Sequence, residues 1–245
     1  MSASLIFQEM ARKHTQKPHT IRRKLLNAYS DQQIMTGIGI QSVGLARTNT
    51  LVPYHFFLIW MLSLLSMATH NATLLALVHD FRRDWVLRWL RQALMFVNLA
   101  LSCVYGVFIL QSVNKNLAPT LPIACVWQNP GNGAPGDAGL MYVGTAAVIL
   151  GNCAVFGLAT WYLHSRNQKF YKTIQLVGMV LMSASAIGAT VRVFLLSQAF
   201  GRPGIALADQ GETIWSFGQL LSILLLLLPL VSVIEIYRGE FGGMG

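Results

Sequence analysis

The sequence predicts an all-α fold, a polytopic membrane bundle of about six transmembrane helices with both termini in the cytosol. Hydrophobic residues make up 54% of the 245 residues and charged residues only 11%, which is about half the charged fraction of an ordinary soluble domain. Five apolar runs are each long enough, at about 20 residues, to cross a hydrocarbon core. Lysine and arginine residues cluster at alternate ends of these runs, as expected for cytosolic connections.

The predicted spans follow one another along the whole chain. The first run, 34–46, is short and reaches membrane length if its helix begins near Leu25 or Tyr29. The other five cover residues 52–78, 93–113, 140–164, 174–199 and 214–236. We therefore expect a transmembrane bundle over residues 29–237. It would lie between a basic cytosolic or membrane-surface segment at 1–28 and a cytosolic tail at 238–245.

The distribution of positive charge predicts both the orientation and the partners. Of the 18 Lys and Arg residues, 14 lie in the N-terminal segment, the connections 79–92 and 165–173, and the tail. This excess places those segments in the cytosol. The net charge of +9 lies beside membrane spans, so it favours contact with anionic lipid over nucleic acid. We expect a multi-pass protein of the endoplasmic reticulum or another endomembrane, with the plasma membrane as the alternative.

Asp31 and His70 are the ionisable residues of interest at the predicted cytosolic side. Ser30 followed by Gln33 matches a capping box, so one interpretation makes Asp31 part of a helix N-terminus. The other pairs Asp31 with His70, as a carboxylate and imidazole that move a proton or hold a polar head group. Asn71, beside His70, would then contact the ligand.

One face of the first helix carries both amides and glycines. Gln33, Gly37, Gln41 and Gly44 follow one another at steps of three or four residues. This pattern predicts first a helix-packing seam with interhelical hydrogen bonds, and second the wall of a polar cavity that Gln33 would line.

Arg192 is a cation inside the fifth predicted span, about seven residues from its outer end. An arginine at that depth must reach the interface or pair with an acid. Asp137 and Glu212 are the nearest carboxylates in depth, and Gln219 lies two turns from Glu212. A clamp between Arg192 and a carboxylate would either stabilise the bundle or bind an anionic or oxygenated ligand, with His55 as a further candidate for ligand contact.

Small residues line the same fifth span. Ala184 and Gly188, and Ser185 and Ala189, are each four residues apart. This spacing predicts a surface where two membrane helices approach closely.

The sequence lacks the motifs of several familiar chemistries. No phosphate-binding loop, zinc-protease helix or nucleophile elbow is found. Paired haems would need partner histidines for His55 and His70, and only His164 is available on another predicted helix. The cysteines, of which only Cys125 lies in a predicted outside loop, predict no disulfide framework. We predict no metal site and no cofactor.

Three segments carry a resemblance to a known family. They are "SDQQIMTGIGI", "PYHFFLIWMLSLLSMATHNATL" and "PIACVW". In these segments the chain resembles a large family of ascomycete fungal integral membrane proteins. The matching positions are Asp31, Gln32, Gln33, Thr36, Gly37, Tyr54, His55, Thr69, His70, Ala72, Thr73, Leu74, Cys125 and Trp127. The match covers about the first half of the chain. Because genes of this family often accompany those for secondary metabolites, the resemblance implies a role in such a pathway.

These observations lead to a functional hypothesis, a membrane protein that acts on a hydrophobic small molecule as a terpenoid or meroterpenoid cyclase or isomerase. The catalytic candidates are Asp31 with His70, or Glu212 near Arg192, although Arg192 would favour the ionised form of Glu212. The ligand-binding candidates are Gln33, His55, Asn71, Arg192 and Gln219. The alternative is a non-enzymatic carrier, sensor or scaffold that works with pathway enzymes.

Overall fold

The structure is a computed structural model, and it describes residues 20–76, 85–128, 138–164 and 170–197, with single positions at 130, 227, 231 and 234. Regular structure within these residues is entirely helical. The elements are α1 (Thr20–Ala46), α2 (Pro53–Ala76), α3 (Trp85–Asn114), a 3-10 turn η1 (Ile123–Trp127), α4 (Ala138–His164) and α5 (Tyr171–Leu196). The prediction of an all-α fold is confirmed at this level.

Helices α2 to α5 each contain a stretch long and apolar enough to cross a bilayer. These stretches are Pro53–Ala76, Arg88–Asn114, Tyr142–Trp161 and Lys172–Leu196. Four such helices identify an integral membrane protein, because apolar surface of this extent needs lipid around it. Of the run predicted at 214–236, only the single positions 227, 231 and 234 are described. The sixth helix and the cytosolic position of both termini therefore stay predictions.

Helix α1 differs from the other four in its composition. It has 27 residues, which gives a length of about 40 Å at 1.5 Å per residue. Its N-terminal half is rich in polar and basic residues, and α1 is not among the four apolar spans. Because α1 begins at Thr20, it runs through the predicted boundary at residues 28 and 29.

The early start of α1 overturns the capping interpretation of Asp31. Ser30 and Asp31 lie about three turns inside the helix. Backbone N–H groups at that depth already donate to carbonyls four residues earlier. No free helix terminus is left there for Ser30 or Gln33 to cap, so the predicted capping box is wrong.

Helix α2 is the centre of the bundle. It packs against α1, α3, α4 and α5, most extensively against α5 and α1. In its apolar span 72% of residues are buried, compared with 17% in the spans of α4 and α5. We therefore assign the lipid-facing wall of the described bundle mainly to α4 and α5.

Two connections meet at one end of the bundle, which we call the loop end (residues 47–52 and 115–128). Ile123 N donates to Leu51 O at 2.8 Å, and Ala124 N donates to Thr48 O at 3.1 Å. Lys115 Nζ donates to Val126 O at 2.8 Å. These bonds hold η1 across the ends of α1 and α2.

Candidate functional site

A cavity of about 420 Å³ lies between α2, α4 and α5, and we call it the α2–α4–α5 cavity. Aromatic and aliphatic side chains of α2 form one wall, and small residues of α4 and α5 form the others. Its described lining comprises Phe57, Trp60, Met61, Leu64, Gly144, Thr145, Val148, Ala184, Ser185, Gly188, Ala189 and Arg192.

Small residues create this space. A methyl group added at Gly144 or at Gly188 would meet no atom of the described residues within 4 Å. Ala184 and Ser185 line the cavity beside Gly188, and Ala189 both lines it and is buried against the apolar cluster around Trp60. The predicted close helix contact is therefore found at Ala189, whereas among the described residues Gly188 lies beside an opening.

The indole of Trp60 forms a fixed part of the cavity wall. The Trp60 side chain is 1% exposed, and its Nε1–H donates to Ser102 O at 3.0 Å and to Ser102 Oγ at 3.1 Å. Ser63 Oγ donates to the Trp60 carbonyl at 2.9 Å. The ring orientation is set by α3, so this wall exists before any ligand arrives.

Arg192 is the charged residue in the described lining. Its side chain is exposed on the surface of the chain, and no ion pair with another described residue is found. The predicted partners Asp137 and Glu212, and also Gln219, lie outside the described residues, so the predicted clamp stays a prediction. At the cavity, Arg192 supplies a positive charge and a planar set of hydrogen-bond donors.

A second polar feature joins α1, α2 and α3, and we call it the three-helix seam (Gln33, Gly37, Gln41, Ser66 and Asn98). Gln41 Nε2 donates to Asn98 Oδ1 at 2.5 Å and to Gly37 O at 2.9 Å. Ser66 Oγ donates to the backbone carbonyl of Gln33. The prediction of a packing seam with interhelical hydrogen bonds is confirmed. The alternative, in which the Gln33 side chain lines a polar cavity, stays a prediction.

Glycines allow the close approach of helices in this seam. A methyl group at Gly37 would lie 2.6 Å from Ser66 Oγ and 2.9 Å from Asn98 Oδ1. A methyl group at Gly44 would overlap the hydroxyl of Tyr105, which donates to Gln41 O at 2.9 Å. Glycine at both positions is therefore required by the spacing of α1 from its neighbours.

His70 and Asn71 are completely buried in α2. Neither ring nitrogen of His70 has a hydrogen-bond partner among the described residues, although the Ser66 carbonyl one turn earlier interacts with the ring. Asn71 Nδ2 contacts Met182 Sδ at 3.9 Å, and Asn71 Oδ1 has no hydrogen-bond partner among the residues that the structure describes. Neither residue is among those that line the α2–α4–α5 cavity.

The predicted pair of Asp31 and His70 is not formed. Arg91 Nη2 instead donates to Asp31 Oδ2 at 2.5 Å, which joins α1 to α3. The side chains of Asp31 and Arg91 are 44% and 11% exposed. The pairing was missed because Arg91 was considered only as one of the basic residues of the predicted connection 79–92.

His55 lies in the first turn of α2, at the loop end. Its ring is 5.0 Å from that of Tyr54, edge to face, and it is partly buried. His55 is also not among the described residues that line the cavity. Of the predicted site residues that the structure describes, only Arg192 lies at the cavity.

The sequence reasoning missed the residues that shape this cavity. Trp60 and Thr145 carry no distinguishing motif, and the small-residue stripe on α5 indicated helix packing. No family model, curated protein or solved structure matches the chain.

Proposed function

We propose that this membrane protein binds and acts on a hydrophobic small molecule that carries an anionic or oxygenated group, and that it does so in the α2–α4–α5 cavity. One observation carries this proposal. An apolar cavity of about 420 Å³ has a single described cation, Arg192, in its lining. Ligand sites are typically concave, mostly apolar and about 300 to 1,000 Å³ in volume, with few polar groups.

The two parts of the cavity fit the two parts of an amphipathic ligand. Phe57, Met61 and Leu64 provide apolar contact for a prenyl or acyl chain. Arg192 provides charge-assisted hydrogen bonds to a carboxylate, phosphate or hydroxyl group. Thr145 and Ser185, which are weaker donors and acceptors, line the same cavity.

The finer proposal is a terpenoid or meroterpenoid cyclase or isomerase of fungal secondary metabolism, and the family resemblance supports it. Such chemistry needs a proton donor in a dry cavity. No described lining residue carries a carboxyl or imidazole group, and Asp31 is engaged by Arg91. Glu212, which lies outside the described residues, is then the remaining carboxyl candidate in this proposal, although a nearby Arg192 would favour its ionised form.

The same observation favours the alternative, a non-enzymatic carrier, sensor or scaffold. A lining of apolar, small and hydroxyl side chains around one arginine suffices for binding without chemistry. A polar path through the bundle, as a carrier would use, finds little support, because Asn98 is bonded to Gln41 and Asn152 donates to Val148 O.

The proposal is tested with purified protein in lipid nanodiscs and three probes of equal chain length, namely farnesoic acid, farnesol and farnesane. Native mass spectrometry measures binding, and liquid chromatography with mass spectrometry measures isomeric products. We expect farnesoic acid to bind most tightly, farnesol less tightly and farnesane least. The affinity for farnesoic acid should fall at least tenfold in Arg192→Gln and by less in Arg192→Lys.

A matched pair of glycine variants locates the binding site. Gly188→Leu fills the cavity and should abolish binding. Gly157→Leu adds the same side chain to α4 where no described residue lies within 4 Å and should bind like the wild type. Equal effects of the two variants, or equal affinity for all three probes, would overturn the proposed site. An isomeric product lost in Glu212→Gln would support the cyclase, and binding without product would support the alternative.

A further inference from the structure

The described bundle contains two cysteines in contact across a helix interface. Cys103 Sγ on α3 and Cys153 Sγ on α4 are 3.7 Å apart. Both residues are partly buried and neither is oxidised. The third cysteine, Cys125, lies in η1 at the loop end and is also free.

Independent contacts define the register of α3 against α4 around this pair. Trp89 packs on His164 with ring centroids 5.2 Å apart, and Phe96 packs near Phe156 at 6.4 Å. Residues 89, 96 and 103 are seven apart, so they lie on one stripe of α3. Their partners run backwards along α4, as two antiparallel helices require.

Gly106, one turn beyond Cys103 on α3, also contacts α4. A methyl group at Gly106 would overlap the side chain of Ile149, so this glycine leaves the space that the Ile149 side chain occupies. This contact and the aromatic contacts hold the two sulfurs side by side. A disulfide would need the sulfurs to close from 3.7 Å to about 2 Å.

We propose that Cys103 and Cys153 form an intramembrane oxidation site, which lipid peroxyl radicals convert to a disulfide between α3 and α4. Each of two peroxyl radicals takes one hydrogen atom from one thiol, and both become lipid hydroperoxides. The two thiyl radicals on adjacent sulfurs then combine into the S–S bond. Two thiols and two peroxyl radicals give one disulfide and two hydroperoxides.

The location of the pair selects this class of oxidant. Oxidation by peroxides or disulfides in water proceeds through a thiolate, and charge is costly within hydrocarbon. Transfer of a hydrogen atom from a thiol creates no charge, so burial in hydrocarbon does not disfavour it as it disfavours formation of a thiolate. Peroxyl radicals also arise in the bilayer itself, beside the surfaces of α3 and α4. The inference is independent of the proposed ligand.

The test uses the full chain in vesicles of polyunsaturated phosphatidylcholine with a lipid-soluble azo initiator in air. After denaturation, a maleimide-polyethylene glycol reagent adds mass for each free thiol, and a gel counts the adducts. We expect the three adducts of the reduced protein to fall to one, since Cys125 has no partner among the described cysteines. Dithiothreitol should restore all three, because a disulfide is reducible by thiols and sulfinic and sulfonic acids are not.

Variants separate the pair from general oxidation. Cys125→Ser should fall from two adducts to none. Cys103→Ser and Cys153→Ser should each keep two over the time in which the wild type loses its pair, and their thermal unfolding should match that of the wild type. Three results would each overturn the proposal. The wild type could keep all three adducts at the same lipid hydroperoxide level, the Cys125 thiol could be oxidised as fast as the thiols of Cys103 and Cys153, or the protein could form a disulfide-linked dimer.

Discussion

Gln41 Nε2 donates a 2.5 Å hydrogen bond to Asn98 Oδ1, and both side chains are completely buried. This bond joins α1 to α3 across a distance of 57 residues in the chain. Gln41 Oε1 and Asn98 Nδ2 have no partner among the described residues. Each of these two amides therefore has the other as its described interhelical partner, and the contribution of the pair to the stability of the bundle requires both side chains.

We expect Asn98→Leu to lower the stability of the bundle by about 1 kcal/mol, because Gln41 loses its interhelical partner inside the membrane. The double variant Gln41→Leu with Asn98→Leu should regain part of this loss, since it leaves no unpaired amide. Thermal unfolding in detergent, followed by tryptophan fluorescence, measures both. A strictly additive double variant would contradict the coupling.

Gly37→Ala should destabilise the bundle by about 1 to 3 kcal/mol, the usual cost of overpacking. The added methyl group would lie 2.6 Å from Ser66 Oγ. Gly39→Ala is the matched control, because a methyl group there meets nothing within 4 Å. It should raise stability by about 0.5 to 1 kcal/mol through helix propensity. The same thermal unfolding assay separates the two, and an unchanged Gly37→Ala would show that α1 is not closely packed.

Asp31→Asn should reduce stability by less than about 1 kcal/mol, because the pair with Arg91 is partly exposed and screened by solvent. The difference between wild type and variant should shrink further as the salt concentration rises. Unfolding midpoints at low and high sodium chloride measure this effect. Binding of farnesoic acid should stay unchanged in Asp31→Asn. A large loss of binding would restore Asp31 as a functional residue.

Trp60→Phe should weaken ligand binding and lower stability by about 1 to 3 kcal/mol, since the Ser102 acceptors lose their donor and the cavity wall loses its fixed orientation. Trp161→Phe serves as the control, because Trp161 is 61% exposed and does not line the cavity. Isothermal titration in nanodiscs and thermal unfolding report the two effects. Equal losses in both variants would remove Trp60 from the site.

Part of this site was predictable from single residues. Arg192 was expected either to stabilise the bundle or to bind an anionic or oxygenated ligand, because a cation inside an apolar span needs a counterpart. It lines the cavity, and the choice between the two roles stays a prediction. The face with Gln41 and Gly37 was expected to be a packing seam, since amides and glycines recur there at helical spacing. The predicted partner of Asp31 was wrong because both His70 and Arg91 lie near the depth of Asp31 in the membrane. Depth alone does not distinguish these two partners.

The sequence by itself determined that this is an α-helical membrane protein, because hydropathy and run length are local properties and hydrocarbon admits few backbone structures. The tertiary structure alone decided that Arg91 meets Asp31, that Cys103 meets Cys153, and that the stripe around Gly188 opens a cavity. Each of these depends on the rotation and register of one helix against another. Those two quantities arise from the packing of many side chains at once, and no single segment of the chain encodes them.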